Sequence, residues 1–142
     1  MGIVLGARIL SDTIIKSFRI GVLNLHPGLL PENRGLDNLK WAIIKGYKQG
    51  VSCHLIDKEI DRGFLLLKEK INVYQDDTYL DIFLRTQNKE QELMIKSIQL
   101  LEKGKSNFKK VGKGNYFKAV PAAIEKNLGK IFISYKKNYN SL

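Results

Sequence analysis

The chain has 142 residues, 44% of them hydrophobic, which suits one globular domain with a buried core. No stretch approaches the ~20 consecutive apolar residues that a membrane helix needs, so no membrane partner is expected. The net charge of +10 suggests nucleic acid until it is located: residues 1–102 hold 14 Lys and Arg against 13 Asp and Glu, while residues 103–142 hold ten lysines and one acid, Glu125.

In chain order, Met1 to Arg8 has no basic leader and too short an apolar run for a signal peptide. Gly6 stands where a myristoylation motif needs Ser or Thr. Ile3-Val4-Leu5 reads as a short buried parallel strand ending at Gly6. Ser11 and Asp12 are candidate caps for a short helix through Ile14, Ile15 and Phe18. Ile20 to Leu25 is a second buried strand, and a loop with two prolines and two glycines follows from His26 to Gly35. Asp37 is the expected cap of a helix carrying Leu39, Ile43 and Ile44, with Trp41 as core or interface packing.

Val51, Cys53 and Leu55 alternate with Ser52, His54 and Ile56, the pattern of a third strand. His54 is read here as a packed or hydrogen-bonded histidine, and Cys53 as core. Phe64 to Tyr74 predicts a fourth strand. The short link Asp57 to Gly63 makes it antiparallel to the third. Asp77 or Thr78 opens a long helix with a stripe at Leu80, Leu84, Gln87, Gln91, Met94, Ile98 and Leu101, its glutamines less tightly packed or near water. The fold class expected is α/β, a parallel sheet with an antiparallel edge. The first strand starts without neighbours, as though the fold begins in its middle, and its exposed edge could support a homo-oligomer.

Asn24-x-His26 lies where a buried strand runs out into a loop, and ligands bind at the carboxyl ends of strands in open α/β sheets. Asp61 sits at the mouth of the following strand-to-strand link, where a carboxylate could orient the imidazole. Amide, imidazole and carboxylate suit acyl transfer without a covalent nucleophile. The amide donates to a developing oxyanion, the imidazole handles the proton and the carboxylate holds it. A turn or capping role for Asn-x-His fits the same spacing. With two histidines and one cysteine, no metal site is expected. The lone Cys53 cannot form an internal disulfide, so a reducing cytoplasm is the expected compartment.

Asn24-Leu25-His26-Pro27-Gly28-Leu29-Leu30-Pro31 followed by Arg34-Gly35 resembles the signature loop of the folate-dependent formyltransferases. Gly50 to Asp57 followed by Ile60-Asp61-Arg62-Gly63 resembles that family's second signature. The resemblance covers about residues 3–102, and Gly28 replaces the usual Ser or Ala. It implies a partial Rossmann-like fold, N-terminally truncated, in which Asn24, His26 and Asp61 are catalytic. It implies 10-formyltetrahydrofolate as formyl donor and a small-molecule amine as acceptor, such as a purine precursor or a sugar nucleotide. The implied folate contacts are Gly6, Ala7, Arg8 and Leu10 in one segment, Gly35 in a second, and Ile56, Asp57, Lys58 and Ile60 in a third. Residues 1–102 then form the C-terminal, catalytic part of a formyltransferase domain, without the glycine-rich phosphate-binding half.

Hydrolysis of formyltetrahydrofolate would use the same three residue types. A different class of reading takes residues 103–142 as a nucleic-acid-binding surface on an inactive remnant, its lysines set among Phe108, Tyr116, Phe117, Phe132, Tyr135 and Tyr139. The plainer expectation for those residues is a basic, solvated, partly ordered extension that packs a few aromatics on the body.

Overall fold

The structure, a computed structural model, describes residues 1–4, 6, 9–104 and 107–141, the last of these by its backbone only. Among the described residues, seven strands and five helices follow in the order β1 (Gly2–Val4), α1 (Asp12–Lys16), β2 (Val22–His26), β3 (Arg34–Gly35), α2 (Asn38–Lys45), β4 (Gly50–Leu55), β5 (Phe64–Lys70), α3 (Tyr79–Glu102), β6 (Lys109–Lys110), β7 (Tyr116–Phe117), α4 (Ala122–Glu125) and α5 (Leu128–Asn138). Leu5, the expected last residue of the first strand, lies outside the described residues.

Five strands form one sheet in the order β1-β2-β4-β5-β6, and β3 pairs with β7 alone. The architecture is α/β, with β1 parallel to β2 and the other pairings of the main sheet antiparallel. Parallel pairing is thus confined to one end of the sheet. The β4–β5 link is too short for a crossover, as its sequence implies. The β2–β4 link contains α2 yet returns the chain antiparallel, so the helix is not a parallel crossover.

Helix ends follow side-chain chemistry where a partner is local. Ser11 caps α1 by accepting the Ile14 N–H at 3.4 Å. Thr78 and Asp81 make a reciprocal capping box on α3. Asp37 occupies the N-cap position of α2 but does not cap it; its carboxylate accepts the Val120 N–H at 2.9 Å instead. A tertiary donor has outcompeted the local one.

The long helix is rotated by one position from the expected stripe. Ile82, Thr86, Leu93 and Ser97 are its buried residues, whereas Leu80 and Leu84 are 59% and 50% exposed. Of the expected stripe, Met94, Ile98 and Leu101 pack at the edge of the core formed by Leu23, Leu25, Val51, Cys53 and Leu93. Four-and-three spacing fits both stripes, and packing on β4 selects the neighbouring one. Gln87 and Gln91 remain exposed.

The segment after residue 102 packs a few aromatics on the body, as expected, and also forms strands and helices of its own. β6 extends the main sheet, and Val111 donates to the Gly63 carbonyl at 2.8 Å. Phe117 stacks on Trp41 with ring centres 4.7 Å apart, and the indole N–H donates to the Lys118 carbonyl at 2.7 Å. Tyr135 and Tyr139 are buried in a second core with Leu39, Ile43, Ile71, Val73 and Ile82. Their apolar rings outweigh the surrounding lysines, whose stems can lie along the surface with their charges in water.

Candidate active site

β2 ends at His26, and the loop after it is clamped from β4 and β5. The Ser52 hydroxyl donates to the Gly28 carbonyl at 2.8 Å and accepts the Leu30 N–H at 2.9 Å. Gln49 donates to the Pro27 carbonyl at 2.9 Å, and Lys68 to the Leu30 carbonyl at 2.9 Å. Asn33 and Asn38 each donate to the other's carbonyl, at 2.8 and 3.0 Å. The glycine at position 28 has a spatial reason. A Cβ there would lie 2.8 Å from the Asn33 carbonyl oxygen and 3.0 Å from His26 Nε2. Its absence lets the loop close over the imidazole.

His26 is 3% exposed. Its Nε2 lies 2.7 Å from the Asn33 carbonyl oxygen, and its Nδ1 lies 3.6 Å from Asp61 Oδ1. The Asn38 amide nitrogen also lies 3.2 Å from that Nε2. Asp61 is fixed in turn. Its other oxygen accepts the Gly35 N–H at 2.8 Å. Its φ is +51°, a left-handed conformation that non-glycine residues adopt at a cost and that gathers at functional sites. Arg34 holds the same link by donating to the Ile60 carbonyl at 2.6 Å.

Asn24 does not touch His26 or Asp61 directly. Its partner is His54 on β4, with Asn24 Nδ2 and His54 Nε2 3.0 Å apart. That nitrogen of His54 also lies 3.9 Å from Asp61 Oδ1. Burial is the first cause that lowers the His54 pKa, to about 4; the neighbouring His26 adds to it and Asp61 opposes it. His54 is therefore neutral at physiological pH.

These residues open on one cavity of about 1100 Å³. Asn24, His26 and Asp61 line it together, as do Gly6, Leu10, Gly35, Ile56, Asp57, Lys58 and Ile60 from the three expected segments. Ala7 and Arg8 lie outside the described residues. The wall also contains residues that sequence reasoning did not assign: His54, Glu90 and Met94 of α3, and Tyr116 of β7. Desolvation pushes the Glu90 carboxyl up to about 7. Alternation along β4 puts His54 on the face of Ser52, a signal available beforehand. Glu90 follows Thr86 by four residues, on the buried stripe rather than the expected one.

Comparisons with known proteins show the family. Residues 3–98 match the family model described as formyl transferase. The chain belongs to the formyl transferase family. It is 35% identical to a methionyl-tRNA formyltransferase of Fusobacterium nucleatum over 75% of this chain and 34% of that protein. It is 35% identical to a GDP-perosamine N-formyltransferase of Brucella melitensis over 72% of this chain and 40% of that protein. The chain thus spans a third to two fifths of these relatives' length. Among solved structures it resembles the formyltransferase PseJ from Anoxybacillus kamchatkensis, described in complex with UDP-4,6-dideoxy-4-formamido-L-AltNAc and tetrahydrofolate. The TM-score is 0.77 at 25% identity, over 92% of this chain and 74% of that one. The α/β, Rossmann-like reading of the fold agrees with such neighbours, which include a phosphoribosylglycinamide formyltransferase from Bacillus halodurans.

Proposed function

We propose that this chain is the catalytic part of a folate-dependent formyltransferase, acting on the amine of a small molecule with 10-formyltetrahydrofolate as donor. The observation that carries the reading is the buried His26–Asp61 pair, 3.6 Å apart, opening with Asn24 on one cavity. The cavity fits such a donor in size, since ligand pockets run to roughly 1,000 Å³. Its wall sets apolar Leu10, Leu36, Ile56 and Ile60 beside polar Asp57 and Asp61, which suits a flat heterocycle with polar edges.

The donor, when bound, supplies a formyl carbon attached to an arylamine nitrogen. This chain's residues supply the rest. Asn24 can donate an amide N–H to the formyl oxygen as negative charge grows there. His26, held between the Asn33 carbonyl and Asp61, offers a proton-bearing imidazole to the same region. The proton lost by the attacking amine passes through water to the His26–Asp61 pair, and a proton is delivered from the pair to the folate nitrogen as its bond to the formyl carbon breaks and tetrahydrofolate leaves. We infer that the acceptor is an amino sugar carried on a nucleotide. Support comes from the likeness to PseJ, which extends over 92% of the chain, a share too large to omit the basic C-terminal segment.

The test is binding of 5-formyltetrahydrofolate followed by turnover with 10-formyltetrahydrofolate and a 4-amino-sugar nucleotide. Folate binding is expected, with slow transfer, because the chain spans so little of its relatives that much acceptor positioning is lost. His26→Ala should bind folate and transfer nothing. Formate release without acceptor would favour hydrolysis. Full turnover by folded His26→Ala, or no folate binding by the wild type, would refute the reading.

A further inference from the structure

We infer that His54 is a positioning residue for Asn24: as a neutral imidazole it accepts one Asn24 amide N–H at Nε2 and so fixes which edge of that amide faces the cavity. The inference rests on the reading of Asn24 as the donor to the formyl oxygen. Two observations support it. Asn24 and His54 are register partners across β2 and β4, so the strand pairing itself brings them together. Asn24 Nδ2 and His54 Nε2 then meet at 3.0 Å, with His54 only 1% exposed.

The need for such a partner follows from amide chemistry. The terminal torsion of an asparagine is broad and roughly two-fold, so oxygen and NH2 exchange places at little cost. Presented oxygen-first, Asn24 would repel growing negative charge. Pairing one N–H with a lone pair on His54 selects the NH2 edge and leaves the second N–H for the ligand. This works only while His54 Nε2 carries no proton. The groups facing the ring are His26 on β2 and Asp61 and Asp57 in the β4–β5 link. Burial, then His26, disfavour a charged ring; Asp61, the Leu55 backbone and Asp57 act the other way. The ring stays neutral, with its proton on Nδ1, which is buried and finds no hydrogen-bond partner among the described residues.

Imidazole and side-chain amide nitrogen NMR on the 15N-labelled chain tests this without requiring turnover. Between pH 5.5 and 8, His54 should show one tautomer, protonated at Nδ1 and bare at Nε2, with signals that do not titrate. One Asn24 amide proton should be shifted and slow to exchange, and His54→Leu, folded by circular dichroism, should abolish both properties. In the transfer assay His54→Leu should lower kcat by about 10²-fold, the scale of one lost oxyanion donor, with folate affinity within about threefold. A proton on Nε2, titration of His54 near neutrality, or an unchanged Asn24 amide in His54→Leu would overturn the inference. If the variant fails to fold, the wild-type tautomer decides. A wild type with the expected tautomer but no transfer supports this inference and refutes the formyl-transfer reading alone.

Discussion

Tyr139→Phe isolates a single hydroxyl in the core shared by the body and the C-terminal segment. The Tyr139 ring is 3% exposed. Its hydroxyl accepts the Gln49 N–H at 3.1 Å and donates to the Ile71 carbonyl at 2.8 Å. Phenylalanine fills nearly the same volume, so no cavity term arises. What remains is one buried donor and one buried acceptor left without a partner, at ~1–3 kcal/mol for each such group. Partial relaxation brings the expected loss to about 2–3 kcal/mol. For a chain of this length each kcal/mol lowers Tm by about 4 °C, so the melt should move down by roughly 8–12 °C. Tyr135→Phe is the control. Its hydroxyl donates once, to the Tyr47 carbonyl at 2.9 Å in a half-buried setting, and its loss should cost ~1 kcal/mol. Thermal and urea unfolding followed by far-UV circular dichroism measures both. Tyr139→Phe melting within about 2 °C of wild type, or above Tyr135→Phe, would refute the claim that this segment completes the core.

Gly35→Ala should detach β7 from β3, because φ there is +99° and a Cβ would lie 2.0 Å from the Phe117 carbonyl oxygen; limited proteolysis should then cut residues 107–120 faster, and folate binding should fall. Glu90→Gln should flatten a loss of stability with rising pH. The folded carboxyl holds its proton up to about pH 7 whereas the unfolded one releases it near 4.5, so stability falls between those values in the wild type and not in the variant. His54→Gln should act in the opposite sense. The unfolded ring binds a proton near 6.5 and the folded one only near 4, so the wild type gains stability as pH rises through that window and the variant does not. Urea midpoints at half-unit pH steps separate the two slopes.

Legibility in the sequence followed how local the determining physics was. Asn24, His26 and Asp61 could be named because each stands at a strand end or in a short link, and because the chain around them carries two signature blocks. The cavity they line also takes in Gly35 and Ile56, both placed by the same blocks. The helix starts at Ser11 and Thr78 were readable since cap and capped N–H lie three residues apart. Asp37 was misread for the converse reason: its donor, Val120, lies 83 residues on. The buried stripe of α3 was misplaced by one position because helical spacing fixes a period and not a phase. Leu93 and Ser97 are inside only because β4 lies against them. The C-terminal segment was legible only in its aromatic packing, not in its strands and helices. Lysine content dominates its composition, while Tyr135 and Tyr139 tie it into a core and Val111 and Val120 are buried as well.

His54 shows why a site can be named and still be incomplete. Its type was visible, and alternation already set it on the face of Ser52. Its function depends on pairing register, which brings it opposite Asn24, and on burial, which keeps its ring neutral. Two imidazoles lie within 4 Å of the same Asp61 oxygen, at 3.6 and 3.9 Å. One carboxylate favours a proton on either ring, and two charged rings side by side would repel. The polar surroundings decide the outcome. His26 Nε2 has both the Asn33 carbonyl at 2.7 Å and the Asn38 amide nitrogen at 3.2 Å, with Asp61 at Nδ1. His54 has an amide donor at Nε2, which needs a lone pair there. That contact, together with burial, holds the His54 ring neutral with its lone pair toward Asn24. The same pairing that orients Asn24 thus keeps the second histidine from competing for the proton.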